Sequence, residues 1–135
     1  MDAPVGRIEQ TLLQRCLDEL VKHEVGLKGA MFCSSDGFEL ASNLPKSVTA
    51  ASLAAMASSQ FALGDAMCKE SGLKHCQELI MDGSAGSVLL LAVPGSDRTV
   101  VLAAISNAKN TLGQVLYACK QAVDGIGARF GKAHR

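Results

Sequence analysis

Four places in this sequence hold residue types from which reactive sites are built. Ser34-Ser35-Asp36-Gly37 sets two hydroxyls beside a carboxylate, as a nucleophile or a phosphate loop would. Gly83-Ser84-Ala85-Gly86 has the composition of an anion-holding glycine loop. Cys68, His75 and Cys76 are metal-ligand types within one short span, while His23 and His134 lie near opposite ends of the chain. Asp36, Asp82 and Asp97 are carboxylates that could serve an acid/base pair.

Each falls short of what its chemistry requires. Ser34 and Ser35 have no base nearby in sequence and no Gly-x-Ser-x-Gly elbow around them. A phosphate loop of the Walker type needs a following Lys and leads into a helix; the run 83–86 has no Lys and leads into an apolar strand. The spacing of Cys68, His75 and Cys76 matches no zinc pattern. The three aspartates fall in turns, where Asp serves local hydrogen bonding. A small hydrolase using Ser35 or Cys76 is the remote alternative. The expectation is a chain with no catalytic residue, no cofactor and no metal, that is, an interaction module rather than an enzyme.

The elements that frame these residues follow from periodicity. Ile8, Leu12, Leu13, Cys16, Leu17, Leu20 and Val21 recur at helical spacing and predict an amphipathic helix at about 7–24, closed by Gly26. Two extended runs, Leu27 to Cys33 and Phe38 to Ser42, flank Asp36-Gly37, a strong hairpin signal. A second helix is predicted at about 48–70, capped by Ser47 or Thr49 and ended by Ser71-Gly72. Three more strands follow: Cys76 to Met81, Ser87 to Val93 and Thr99 to Ile105, joined by short turns as in an antiparallel meander. A third helix is predicted at about 111–130, opened by a capping-box spacing at Thr111 and Gln114.

LKGAMFC, SVLLLAV and TVVLAAI are almost unbroken apolar runs, the mark of strands buried on both faces. FELAS and QELIM are mixed and suit the edges. The resulting fold class is α+β: a three-layer α/β/α sandwich with a five-stranded antiparallel sheet in order 2-1-5-4-3. One domain spans 1–135, with its core at about 8–128.

The second helix is unusual. Leu53, Met56, Phe61, Leu63 and Met67 mark a broad apolar arc. The opposite arc holds Ala51, Ala55, Ser58, Ser59, Ala62 and Ala66 instead of the Lys and Glu a water-facing arc would carry. Small residues there fit the close approach of another helix or a partner.

Composition excludes other classes. The chain is 48% hydrophobic and 19% charged, with Lys plus Arg equal to Asp plus Glu at 13 each. That suits a folded core and gives no field for nucleic acid. Arg129, Lys132 and Arg135 read as a solvated, frayed tail. The five cysteines are odd in number and lack CxxC spacing, so a reducing compartment is expected, with Cys16, Cys33 and Cys119 on apolar faces. No signal peptide and no run long enough for membrane insertion is expected. A soluble, cytoplasmic protein follows.

GLKGAMFCSSDGFELAS, the alanine-rich helix, CQELIMDGSAGSVLLLAV and the NTLGQV opening of the last helix occur in an order and spacing that resembles the Roadblock dynein light-chain domain family. The resemblance runs over about 8–128. It implies one helix on one side of the sheet and two on the other. It further implies homodimers in which the alanine-rich helices lie side by side and the third strands meet edge to edge. Family members are scaffolds and regulators of Ras-like small GTPases, or cargo-side light chains of dynein. The composition looks closer to the bacterial members, some of which stimulate GTP hydrolysis through the switch loops. No Arg stands in the alanine-rich helix to act as a finger. The expected function is a non-enzymatic homodimeric regulator or scaffold of a Ras-like GTPase, the alternative a structural adaptor that acts on no GTPase. Ala55, Ala62, Ala66, Glu78 and Ile80 are the expected dimer residues. Ser52, Ser59, Lys69 and Glu70 are the expected partner contacts.

Overall fold

The structure is a computed structural model that describes residues 6–97, 99–107 and 112–133. Its elements run α1 (Arg7–His23), β1 (Leu27–Ser34), β2 (Glu39–Asn43), α2 (Ala50–Glu70), β3 (Glu78–Gly83), β4 (Gly86–Ala92), β5 (Val100–Ser106) and α3 (Leu112–Ala133). The five strands form one antiparallel sheet in the order β2-β1-β5-β4-β3. This is the α+β class and strand order expected from the apolar runs. α3 continues through Ala133, so Arg129 sits on a helix and not in a frayed tail. The capping-box Thr111 lies outside the described residues.

Two apolar layers flank the sheet. On one face α1 and α3 pack on it with large side chains: Leu13, Leu17, Phe32, Leu89, Leu102 and Val115 are fully buried. On the other face α2 packs chiefly on β1, β2 and β5, through Ala54, Ala57 and Phe61 against Met31, Cys33 and Val101. Alternation along the strands feeds both layers: Phe32 and Leu102 point to α1 and α3, while Cys33 and Val101 point to α2.

Two glycines are required where they stand. Gly37 turns the β1–β2 hairpin with φ 97°, and a Cβ there would lie 3.4 Å from the Ser58 hydroxyl of α2. Gly127 lets α3 press on the β4–β5 turn, where a Cβ would come within 2.3 Å of the Pro94 carbonyl oxygen. The hairpin itself accounts for the serine cluster. Ser34 is buried; its backbone N–H donates to the Phe38 carbonyl at 2.8 Å, and its hydroxyl accepts from the Phe38 N–H at 3.0 Å.

Candidate functional site

The broad apolar arc expected on α2 does not face the core as one stripe. The buried face is Ala54, Ala57, Ser58 and Phe61, while Met56, Leu63 and Met67 are 59%, 60% and 70% exposed. Ser58, expected on the outer arc, is inside. The reason is size. Small residues at 54, 57 and 58 let the helix sit close over the β1–β2 hairpin, where Gly37 meets Ser58 and Ala55. The longer side chains are then carried outward. Thr49 holds the N-cap position, but its side chain makes no cap hydrogen bond.

With 3.6 residues per turn, Met56, Leu63 and Met67 form an outward crest. Ser52, Ser59 and Glu70 lie beside this crest; Ala55, Ala62 and Ala66 form the flank toward the hairpin tip, and all six are exposed. Lys69 follows on that flank and is held by Asp65 at 3.3 Å. From Ala50 to Gly64 the helix carries no charged residue. Periodicity missed the crest as an outer surface because it was counted into the core arc. The signal available was the lack of charge on either side of the helix.

Beyond α2 the same sheet face continues over β3, β4 and β5. Met81 is 37% exposed there, beside the half-buried Val88 and Ile105, which pair across the strands with it and with each other. Lys28 and Asn107 rim this shallow depression.

The two edges of the sheet differ. At β2, α1 reaches over the edge. Gln10 donates to the Leu40 carbonyl at 2.8 Å, and Gln14 donates to the Ser42 carbonyl at 2.9 Å and accepts from its N–H at 3.4 Å. At β3 the Ala92 N–H donates to the Gln77 carbonyl, which fixes the alternation so that 79, 81 and 83 bond to β4 and Glu78, Ile80 and Asp82 point their backbone outward. The Glu78 carbonyl receives a weak contact from the Cys76 thiol at 3.4 Å. The outward groups of Ile80 meet no partner among the described residues. Glu78 is half-buried; its Oε1 lies 3.2 Å from Lys120 of α3, while its buried Oε2 has no hydrogen-bond partner among the described residues. The side chain of Ile80 is 40% exposed.

β3 begins two residues later than expected. The cause is a tertiary bond: the Asp65 carboxylate of α2 accepts the Cys76 N–H at 2.8 Å and also meets His75 at 3.5 Å. Cys76 is thereby tied to the helix before pairing with β4 starts. Among the described residues no three His, Cys, Asp or Glu side chains are grouped to hold a metal ion, and no helix is long and apolar enough to cross a membrane. Burial pushes the Cys33 thiol up to about 12, and burial with the nearby Glu24 charge pushes Cys119 up to about 12 as well. Neither is a nucleophile at neutral pH.

A twisted antiparallel sheet with two helices behind it and one lone apolar helix in front is a Roadblock architecture. The chain belongs to the Roadblock/LC7 domain family, whose model matches residues 13–105. It is 34% identical over 119 residues to the uncharacterized protein MJ0310 of Methanocaldococcus jannaschii, spanning 88% of this chain and all of that one. Among solved structures, Myxococcus xanthus MglB shares its fold with TM-score 0.83 at 22% identity, over 95% of this chain and 94% of that one. The gliding protein MglB of Thermus thermophilus gives TM-score 0.77 at 22% identity, over 98% and 94%.

Proposed function

We propose that this protein is a non-enzymatic, homodimeric regulator of a Ras-like small GTPase. The observation that carries the reading is the uncharged α2 crest, Met56, Leu63 and Met67, exposed next to an outward-facing β3 edge. An isolated domain rarely leaves both an apolar helix and a sheet edge to water. A second copy related by a two-fold axis would extend the sheet through β3 and lay the two α2 helices alongside one another. Glu78 and Ile80 fall in or beside that contact, while Ala55, Ala62 and Ala66 lie on the α2 flank toward the β1–β2 hairpin, opposite Gly64, which faces Leu79 of β3.

Family membership supports the choice of partner. Roadblock domains, as the resemblance implies, scaffold or regulate Ras-like GTPases, and the joined α2 helices form a continuous low-relief platform. Ser52, Ser59, Lys69 and Glu70 lie along the outer side of that platform. Regulation of a two-state partner requires different affinity for its GDP and GTP forms. With no Arg on α2, any stimulation of hydrolysis would come from positioning the partner's own switch loops.

The test measures binding of this protein to a small Ras-like GTPase from the same organism, in GDP-bound and GTP-analogue-bound forms. GTP hydrolysis and nucleotide exchange are followed with and without it. The expected result is a preference for one nucleotide form and a changed hydrolysis or exchange rate. Absence of binding in both forms removes the GTPase reading. Binding with unchanged rates leaves a tethering adaptor instead.

A further inference from the structure

A groove lies on the face of the sheet away from the α2 crest. The β4–β5 turn, Gln77 ahead of β3 and the middle of α3 enclose about 490 Å³ there. Leu91, Val93 and Pro94 wall it from the sheet side and Val123 from α3. These walls are held in place. Gly127 lets α3 touch the turn at Pro94, and the buried Ser96 donates its hydroxyl to the Val93 carbonyl at 2.6 Å. The Thr99 N–H closes the turn on the Ser96 carbonyl at 3.0 Å. Asp97 follows on the rim with φ 53°, a conformation that Asp and Asn tolerate. Asp124 stands on the α3 side of the rim, one turn beyond Lys120, and both aspartates are exposed.

The charges around this groove are unequal. Among the described residues Lys120 is the only cation that lines it, and its ammonium already lies 3.2 Å from Glu78. Neither Asp97 nor Asp124 has an ion-pair partner among the described residues. The buried Oε2 of Glu78 lacks a donor among them too. With Glu78 included, three carboxylates stand about one ammonium. That excess repels an anion. No three of these side chains are grouped to grip a metal ion among the described residues. Carboxylates set apart over apolar walls call for a broad cation on an apolar stem. Arginine has both: a planar guanidinium with five donors, and a chain of methylenes that lies along apolar surface.

We infer that this groove binds an arginine-bearing segment of a partner protein. The side chain enters between the β4–β5 turn and α3, its stem against Pro94 and Val123 and its guanidinium against Asp97 and Asp124. Gln77, exposed at the open end, offers its amide to the backbone of the segment that carries the arginine. The site is independent of the GTPase reading, because no residue lining it lies on α2.

The experiment is a heteronuclear NMR titration of the full chain with the blocked peptide acetyl-Gly-Leu-Arg-Leu-Gly-amide, at about 20 mM and about 200 mM NaCl. The same peptide with glutamine in place of arginine, and spermidine, are titrated in parallel. The arginine peptide is expected to shift the amides of Gln77, Asp97, Lys120 and Asp124, and to bind more weakly in the higher salt. The Asp97→Asn/Asp124→Asn pair should weaken it about 2- to 30-fold, the range for two exposed ion pairs. Lys120→Gln should tighten it about 1.5- to 5-fold by removing a repelling charge. Circular dichroism confirms that each variant is folded. No shift at these four amides overturns the proposal. So does a glutamine peptide that binds as well as the arginine one, or binding undiminished in the double variant. Spermidine that binds as tightly as the peptide gives the groove to a free polyamine and overturns the partner segment.

Discussion

The two edges of this sheet are opposite solutions to one problem. At β2 the Leu40 carbonyl and both peptide groups of Ser42 are taken up by Gln10 and Gln14 of α1, so most of the edge is closed by the chain's own side chains. At β3 no helix side chain does the same for Ile80 among the described residues. The helices repeat the contrast. α1 lies behind the closed edge and buries Leu13 and Leu17 completely, whereas α2 turns its longest apolar side chains away from the sheet. An edge closed by the chain's own glutamines belongs to stability. An edge left open beside an uncharged helix is the surface that the proposed association would use.

The largest effect should come from removing what holds the closed edge shut. Leu17→Ala empties a fully buried site beneath α1. It should cost about 2–5 kcal/mol in urea denaturation, with faster amide exchange at Leu40 and Ser42.

Alkaline pH tests whether the layers beneath both edges are equally dry. Cys33 lies on the α2 side and Cys119 on the α1/α3 side, and burial lifts each thiol from 9.0 to about 12. The unfolded chain therefore loses these protons first, and stability falls as pH rises. The thiol contribution is whole below pH 9 and is lost between pH 9 and about 12. The slope is roughly 1–1.5 kcal/mol per pH unit for each thiol. Denaturant midpoints at pH 8, 9.5 and 11 measure it. Replacing Cys33 with Ala should remove its own share of the slope, leaving that of Cys119 and of Cys16, whose thiol is also raised by burial.

Gln14→Ala removes the pair of bonds to Ser42 and should cost about 0.5–1.5 kcal/mol, read by the same denaturation. It should also make β2 pair with added strand-forming peptides, turning the closed edge partly into an open one.

The open edge should show the smallest change in stability and the largest in assembly. Met56→Glu with Met67→Glu, or Ile80→Lys alone, alters exposed positions. The unfolding free energy of the protomer should stay within about 0.5 kcal/mol of wild type, measured below the dimer dissociation constant. Sedimentation should then show protomers only, where wild type shows the associated form. An unchanged assembly state in both variants would erase the distinction between the edges.

Most of the framework was legible from residue order. Apolar runs at 27–33, 87–93 and 99–105 marked the central strands, and mixed runs marked the edges, because burial on two faces leaves no room for polar alternation. The hairpin at Asp36-Gly37 was legible for a local reason: Gly37 takes the positive φ that the turn needs. The start of β3 was not, because it depends on Asp65, eleven positions away in sequence, accepting the Cys76 N–H. The facing of α2 was misread because both of its sides are apolar, so periodicity gives no direction and side-chain size decides. Ser58 inside and Leu63 outside is the result. The closure of β2 by Gln10 and Gln14 was equally hidden, since glutamine on a helix reads as an ordinary wet residue until the strand beneath it is placed. Of the surface residues named in advance, Ala55, Ala62, Ala66 and Ile80 are outward-facing. The crest methionines that dominate that surface were read only as part of a broad apolar arc.

α2, the tether of Asp65 to Cys76, and β3 follow one another directly along the chain, so the α2 crest and the β3 edge are written in a single uninterrupted stretch, 50–83. The sealed layer of α1 and α3 is encoded outside it. The chain is thus a chassis with one exchangeable cassette: grafting that stretch from a relative should carry over the relative's choice of companion while the recipient keeps its own melting behaviour.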